Sequence, residues 1–282
     1  MPAGAYRFQV GTLGCTVLSD GYFSYPTPWF FPDADSAELA AALENRRLPH
    51  DRVLSPYTCL LIETGRHVLL VDTGAGSGLT TGGIGARLEM AGIRARDVDT
   101  VILTHAHPDH VGGAVDSHGR PAFPHARYIL SEAECDFWNS GRDLSEARLP
   151  EDVKYGIKRT AGRCLHALRY HLEPIDRETE IVPGVSAIPA PGHTPGHLAL
   201  LLASGGDRLL NLGDAAVHPL HLEHPGWHNG FDQAPEMAVN TRRALVDRAA
   251  KEHMHVMAFH FPFPSVGRVT PRDIGWEWTP GW

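Results

Sequence analysis

The stretch Thr104–Gly113, THAHPDHVGG, restricts the fold of this chain more than any other segment. His105, His107, Asp109 and His110 place four metal-binding side chains within six residues, directly after the apolar run VDTVILT. Such a run reads as a buried strand, and residues two apart on an extended chain point the same way. His105 and His107 can therefore chelate one ion from one side. Pro108 cannot continue a hydrogen-bonded ladder, so the chain turns, and Asp109 and His110 open a short helix that can face a second ion. Gly112 and Gly113 let the backbone pass close to a neighbouring element. A fold that uses this stretch must bring further ligands to the same strand end.

Three later segments offer them. PGHTPGH places His193 at a strand end, LLNLGDAA places Asp214 at another, and HVMAFHFPFP places His260 at a third. Each follows an apolar, strand-like run, as ligands gathered along one sheet edge would. A carboxylate such as Asp214 can bridge two cations, and zinc accepts imidazole and carboxylate together. Histidine occurs 18 times against four cysteines, which directs attention to imidazole rather than thiolate ligation.

Strands and helices alternate along the chain. YRFQV and CTVLSDG read as strands, and DSAELAAALENRR as a helix capped by Asp35 or Ser36. YTCLLIET and HVLLVDTG fit a hairpin of buried strands, GIGARLEMAGI a short helix, and TVILTH and RYIL two more strands. SEAECDFWNS and EDVKYGIKRTAGRCLHAL are helical. The second half repeats this alternation, with VSAIPAPGHT, HLALLLAS and RLLNLGD as strands, PEMAVNTRRALVDRAAKE as a helix, then HVMAFH, VGRVT and WEWT as strands. Strands in runs with helices between groups predict an α/β fold of sheets covered by helices, organised as one domain over residues 1–282. The segment 216–234, rich in His, Pro and Gly, is weakly periodic and long for a connection, which marks it as functional or disordered.

Composition excludes several roles. A formal net charge of −8 argues against a nucleic-acid partner. No apolar stretch approaches the roughly 18 residues that span a bilayer, and MPAGAYRFQVG has no basic and apolar leader pattern, so no membrane partner is expected. Cys15, Cys59, Cys135 and Cys164 are scattered, without a CxxC pair, which fits reduced thiols in a cytoplasmic protein.

HxHxDH followed by a later His, a later Asp and a final His resembles the metallo-β-lactamase superfamily. The likeness extends over most of the chain, through LLVDTG (69–74), THAHPDH, PGHTPGH, LGD and FHFPFPSVGRV. TVLSDGYFSYP and HFPFPSVGRV carry a closer likeness to the branch of methyl parathion hydrolase-type and N-acyl homoserine lactonase-type enzymes. The resemblance implies a four-layer αββα sandwich with two divalent metal ions, zinc first, with manganese, cobalt or iron as alternatives. It implies that His105, His107 and His193 hold one ion, that Asp109, His110 and His260 hold the other, and that Asp214 bridges them. Asp72 is implied to orient a ligand imidazole.

The reaction so implied is hydrolysis of a lactone, carboxylic ester or organophosphate-type ester by a metal-bridging hydroxide, with Asp109 as proton shuttle and Asp214 as the second catalytic carboxylate. Several β-lactamases of the superfamily carry Cys where Asp214 stands, which disfavours a β-lactam substrate. Lactonases of the family often place a Tyr shortly after the bridging Asp; DAAVHPLH has none, and His218 is the substitute expected here. Phe23, Trp29, Trp138 and Phe261, with Tyr22, Phe30 and Phe263 beside them, are expected to favour a small acyl or aryl substrate. The same apolar surface suits a homodimer. His197 reads as an ordinary structural histidine. The alternative reading is an iron-dependent thiol or persulfide dioxygenase on the same fold, distinguished by a single iron.

Overall fold

The computed structural model describes residues 4–141 and 143–282; Arg142 and the first three residues of MPAGAYRFQVG lie outside the described residues. Fourteen strands form two seven-stranded sheets, and within each sheet every strand pairs with the next along the chain. The first sheet holds β1 (Ala5–Val10), β2 (Leu13–Pro26), β3 (Arg52–Glu63), β4 (Val68–Val71), β5 (Thr100–Ile102), β6 (Arg127–Ser131) and β7 (Leu172–Ile175). The second holds β8 (Thr179–Val182), β9 (Val185–Pro189), β10 (Leu198–Ser204), β11 (Asp207–Asn211), β12 (His255–Met257), β13 (Val266–Pro271) and β14 (Trp276–Pro280). The helices are α1 (Thr27–Phe30), α2 (Ser36–Asn45), α3 (Ile84–Met90), α4 (Pro108–Val111), α5 (Glu132–Asn139), α6 (Glu151–Leu168), α7 (Leu220–Glu223) and α8 (Pro235–Lys251).

Three apolar clusters separate four layers. Val17, Leu60, Ile62, Val71, Ile102, Leu200, Leu202 and Leu209 interdigitate between the sheets. Leu61, Leu70, Val101 and Tyr128 turn to the other face of the first sheet and meet Leu88, Ala161 and Leu165 of the helices. Ala199, Leu210 and Val256 do the same on the second sheet against Leu245, Val246 and Ala249 of α8. The layers follow from patterning. Strands covered on both faces are continuously apolar, whereas strands covered on one face alternate. β3 changes from one pattern to the other: Arg52–Pro56 alternate exposed and buried, and Tyr57–Ile62 are buried throughout.

Several expected boundaries move for physical reasons. The strand expected to end at Gly21 continues to Pro26, because Tyr22–Pro26 pair with Arg52–Pro56 across a register shift at Ser19/Gly21. HVMAFH is strand only to Met257; Phe261 N–H closes a turn onto Ala258 O at 3.2 Å, so His260 sits in the turn. β7 and β8 were not expected, since LEPI and TEIV are half-exposed strands at sheet ends with little apolar signal.

The topology collects strand ends. β4, β5 and β6 run parallel. β9 and β11 each pair antiparallel to β10, and β11 is parallel to β12, so β9, β11 and β12 share one direction. The segments carrying Asp72, His105–His110, His193, Asp214 and His260 all leave the carboxyl ends of these strands, where ligand crevices of α/β sheets form. Among the described residues no helix is long and apolar enough to cross a membrane. Leu200, fully buried between the sheets, gives the packing a direct test. Leu200→Ala is expected to lower the unfolding free energy by about 2–5 kcal/mol in denaturant titration, by lost burial and the cavity left behind.

Candidate metal centre

Each donor reaches the centre from a turn just past a strand. His105 and His107 follow β5, and His107 precedes α4, in which Asp109 and His110 lie. The two glycines after them answer a close approach. A Cβ on Gly112 would stand 2.4 Å from Ala75 O, and one on Gly113 2.1 Å from Thr73 O. That proximity lets Thr73 N–H donate to His110 O at 2.8 Å and Gly113 N–H to Gly74 O at 3.0 Å, locking the metal-binding turn onto the end of β4.

Nitrogen and oxygen donors converge on Asp214. Its Oδ2 lies 3.1 Å from His260 Nε2, 3.4 Å from the Nε2 atoms of His110 and His193, and 4.0 Å from His105 Nε2. His193 Nε2 is 3.0 Å from His107 Nδ1, and Asp109 Oδ2 is 3.3 Å from His260 Nε2. Three sets of donors lie close enough to share an ion: His105, His107 and His193; His105, His110 and Asp214; Asp109, His110 and His260. Four buried atoms here, Nε2 of His105, His107 and His110 and Oδ1 of Asp214, have no hydrogen-bond partner in the protein. Buried polar atoms are seldom left so. Five imidazoles and two carboxylates with unpaired inward atoms fit two divalent cations of borderline hardness.

Charge balance points the same way. Burial, then the neighbouring imidazoles His110 and His107, hold His105 well below the usual histidine range; burial and His193 do the same for His107. Burial opposes the charged forms of His110 and His260 too, but Asp214 and its fellow carboxylates outweigh it, and His260 is pushed up to about 9. In turn His260 and His110 hold Asp214 well below the carboxylate range against its burial. The buried carboxylates of the centre are thus balanced by His110 and His260, a place that a bound cation would take.

Outer partners fix four of the five rings. Asp72, in the left-handed region at φ 58, takes His110 Nδ1–H at 2.8 Å and the Thr104 hydroxyl at 2.9 Å. Aspartate tolerates that conformation better than most residues. Thr104 Oγ1 is 3.1 Å from His105 Nδ1. Asp232 accepts from His193 Nδ1 at 2.8 Å, and Ser55 Oγ lies 2.7 Å from His260 Nδ1. His197, the expected structural histidine, accepts from Asp214 N–H at 2.9 Å and donates to Ala190 O at 3.0 Å, so it braces Asp214. Glu134 ties the two halves together. Its carboxylate accepts from Ala106 N, Thr194 Oγ1, Gly196 N and Trp138 Nε1 at 2.9, 2.6, 3.0 and 2.7 Å.

His107, Asp109, His193, Asp214 and His260 floor a cavity of about 430 Å³, within the range of small-molecule sites. Phe23, Tyr25, Trp29, Phe30, Tyr57, Val217 and Phe231 wall one part, and Val153, Gly156, Ile157 and Thr160 of α6 another.

Residues 52–252 match the family model described as the metallo-beta-lactamase superfamily. The chain belongs to that superfamily. Among curated relatives, "Uncharacterized protein YobT" of Bacillus subtilis is 34% identical over 115 residues, covering 41% of this chain and 45% of that one. An N-acyl homoserine lactonase of Bacillus sp is 30% identical over 167 residues, covering 58% of this chain and 56% of the relative, so the chain spans about half the length of these two relatives. Two solved structures resemble nearly all of it. AidC, a dizinc quorum-quenching lactonase in complex with a product N-hexnoyl-L-homoserine, is 28% identical with a TM-score of 0.93, covering 99% of this chain and 98% of its own. The hydrolase AbOPH in the beta lactamase superfamily is 27% identical with a TM-score of 0.89, covering 100% and 99%.

The seven expected metal-binding residues come together, and Phe23, Trp29 and Phe30 reach the cavity. Three residues expected at the substrate do not line it. Phe261 is fully buried in the outer core against Trp278, because the turn after β12 sends alternate side chains to opposite sides. His218 spends Nδ1 on Leu220 N–H at 3.1 Å and packs edge-on to Phe31. Trp138 stands behind the metal centre, edge-on to His107 at 5.9 Å, its N–H held by Glu134. Asp232, Ser55, Glu134 and the cavity-facing Tyr25, Tyr57 and Phe231 were missed. For the tyrosines and Ser55 the signal was present as strand alternation in YFSY and SPY; for Asp232 and Glu134 no local pattern announces a contact across the fold.

Since Asp232 fixes His193, Asp232→Ala is expected to weaken binding at one of the two ions by about 10–100-fold. Competitive metal titration should show one weakened and one retained ion per chain.

Proposed function

We propose that this protein is a dinuclear metal-dependent hydrolase that opens the ring of N-acyl lactones. The observation that carries the reading is an apolar cavity whose polar floor consists of five of the seven donor residues, His107, Asp109, His193, Asp214 and His260, with His105 and His110 buried beneath them. An acyl chain suits walls of Phe23, Trp29, Phe231, Val153 and Ile157, whereas a sugar or nucleotide would leave its polar groups unpaired there. The complex of AidC with a ring-opened product supports the same substrate class, and AidC's dizinc character supports zinc as the metal. Ester and organophosphate-type substrates belong to the same chemistry and rank below lactones. Two separate donor sets favour a dinuclear hydrolase over an iron dioxygenase with one ion.

His105, His107 and His193 are the proposed holders of one ion and Asp109, His110 and His260 of the other, with Asp214 between. Bound there, two cations supply an activated water and polarise the acyl oxygen. The remaining work falls to the protein. Asp72, Asp232 and Ser55 keep the imidazoles aimed inward. The aromatic walls exclude bulk water, so the interactions of the floor act in a low-dielectric space. Asp109, on the cavity floor 3.3 Å from His260, is placed to accept a proton and pass it to the leaving alkoxide. We also propose that residues 1–282 act as one domain.

The test is hydrolysis of N-hexanoyl homoserine lactone by the metal-loaded protein, with Asp214→Ala beside it. Turnover by the native chain, reduced more than about 100-fold in the variant, is the expected result. Absence of turnover on every lactone of a chain-length series, with the ions bound, would overturn the reading.

A further inference from the structure

The β2–β3 arm presents a single face to the cavity. Side chains alternate along strands, and the register sets Gly21 opposite Tyr57, Phe23 opposite Ser55 and Tyr25 opposite Val53. Ser55 holds the His260 ring from this face. On either side of it along the arm, Tyr25 and Tyr57 reach toward each other, and their hydroxyls form a short hydrogen bond. Tyr57 stands edge-on to His260 at 5.4 Å, and Tyr25 edge-on to Phe231 at 5.6 Å. Both rings are thus fixed by packing, and both line the cavity.

Apart from the donors of the metal centre and the Trp29 indole, the polar side chains on the cavity wall are Tyr25, Tyr57, Thr160 and Asn229. Thr160 lies on the α6 side and Asn229 in the segment before α8, whereas Tyr57 stands against the floor residue His260. The tyrosine pair is the polar group that rests on a floor residue. A hydrogen bond between two hydroxyls uses one O–H hydrogen and leaves the other unspent. An unspent O–H held in an apolar cavity is a donor that needs no reorganisation when charge develops beside it.

We propose that the Tyr25–Tyr57 hydroxyl pair donates a hydrogen bond to the ring carbonyl oxygen of a bound lactone. The inference rests on the lactone reading above. The donor is neutral, so it gains strength only as the carbonyl oxygen becomes negative. Its main effect therefore falls on turnover, with a smaller effect on binding.

The experiment compares the zinc-loaded native chain, Tyr25→Phe, Tyr57→Phe and the double variant. It measures kcat and KM on N-hexanoyl homoserine lactone, zinc content, and binding of the corresponding lactam followed by tryptophan fluorescence. In the double variant kcat is expected to fall about 100-fold, with zinc content unchanged, and lactam affinity to fall up to about tenfold. Each single variant should lose less, since the surviving hydroxyl recovers its hydrogen. Native kcat and native lactam affinity in the double variant would overturn the proposal. Loss of zinc in step with activity would also overturn it, assigning the pair to bracing His260. If the double variant fails to fold, the single variants decide together, because each leaves its surviving hydroxyl without the partner that positions it: a fall of about tenfold in kcat in at least one with zinc retained is expected, and unchanged kcat and affinity in both reject the proposal. An inactive native chain rejects the lactone reading itself, which is seen before any variant is compared.

Discussion

Five imidazoles and two carboxylates can share one dry pocket only if they are braced from outside and compensated from inside. The outward half of that requirement is built for four of the five rings and for Asp214. Asp72 and Thr104 hold His110 and His105, Asp232 holds His193, Ser55 holds His260, and His197 holds the backbone of Asp214. The inward half is left to unpartnered atoms of His105, His110 and Asp214. Stripping a partner from one member of such a group leaves a buried charge or dipole uncompensated, which costs far more than the net worth of the contact. The surrounding architecture serves to meet this one constraint.

The long segment 216–234 illustrates it. A loop of that length would ordinarily be loosely held, yet it is largely buried because Arg242 of α8 reaches into it. The guanidinium, itself fully buried, donates to Ala215 O, Pro225 O and Trp227 O at 2.8, 3.1 and 2.8 Å. It also stands 4.0 Å from Asp232 Oδ2, while Asp232 Oδ1 holds His193. A cation in the helix layer thereby stabilises the carboxylate that aims a metal-binding imidazole. On the other side of the centre, Asp20 accepts from Ala75, Gly82 and Ile84 N–H and organises the loop that supplies Ala75 to the cavity.

The metal centre was legible in the sequence because its donors sit at strand ends, where apolar runs stop at His or Asp. Packing alone gives no reason for the HxHxDH spacing, whereas chelation does. The layered α/β fold was legible for a related reason: apolar runs of strand length alternate with amphipathic helices. What escaped was long-range. Asp232 and Glu134 act through contacts 39 and 28 to 62 residues away in sequence, and nothing local distinguishes them from surface acids. Phe261 was misplaced because adjacency to His260 says nothing about which side of a turn a side chain takes. Tyr25 lay in a Pro-rich stretch beyond the expected strand CTVLSDG, whereas cross-strand pairing with Arg52–Pro56 keeps it extended; Tyr57 opened the expected strand YTCLLIET, which does not announce that its ring meets Tyr25.

Membership of the superfamily locates the chemistry, and the cavity wall narrows it. The floor can serve many hydrolytic reactions, so discrimination among substrates lies with the aromatic arm of β2 and β3 and with α6, which shape the space above the donors. All of this depends on the floor holding two cations. The most direct measurement is anomalous diffraction at the zinc edge from crystals grown with zinc. Two peaks about 3.5–4 Å apart are expected, flanking Asp214, one against His105, His107 and His193 and the other against Asp109, His110 and His260. A single peak, or two peaks that do not share Asp214, would contradict a dinuclear centre of this design.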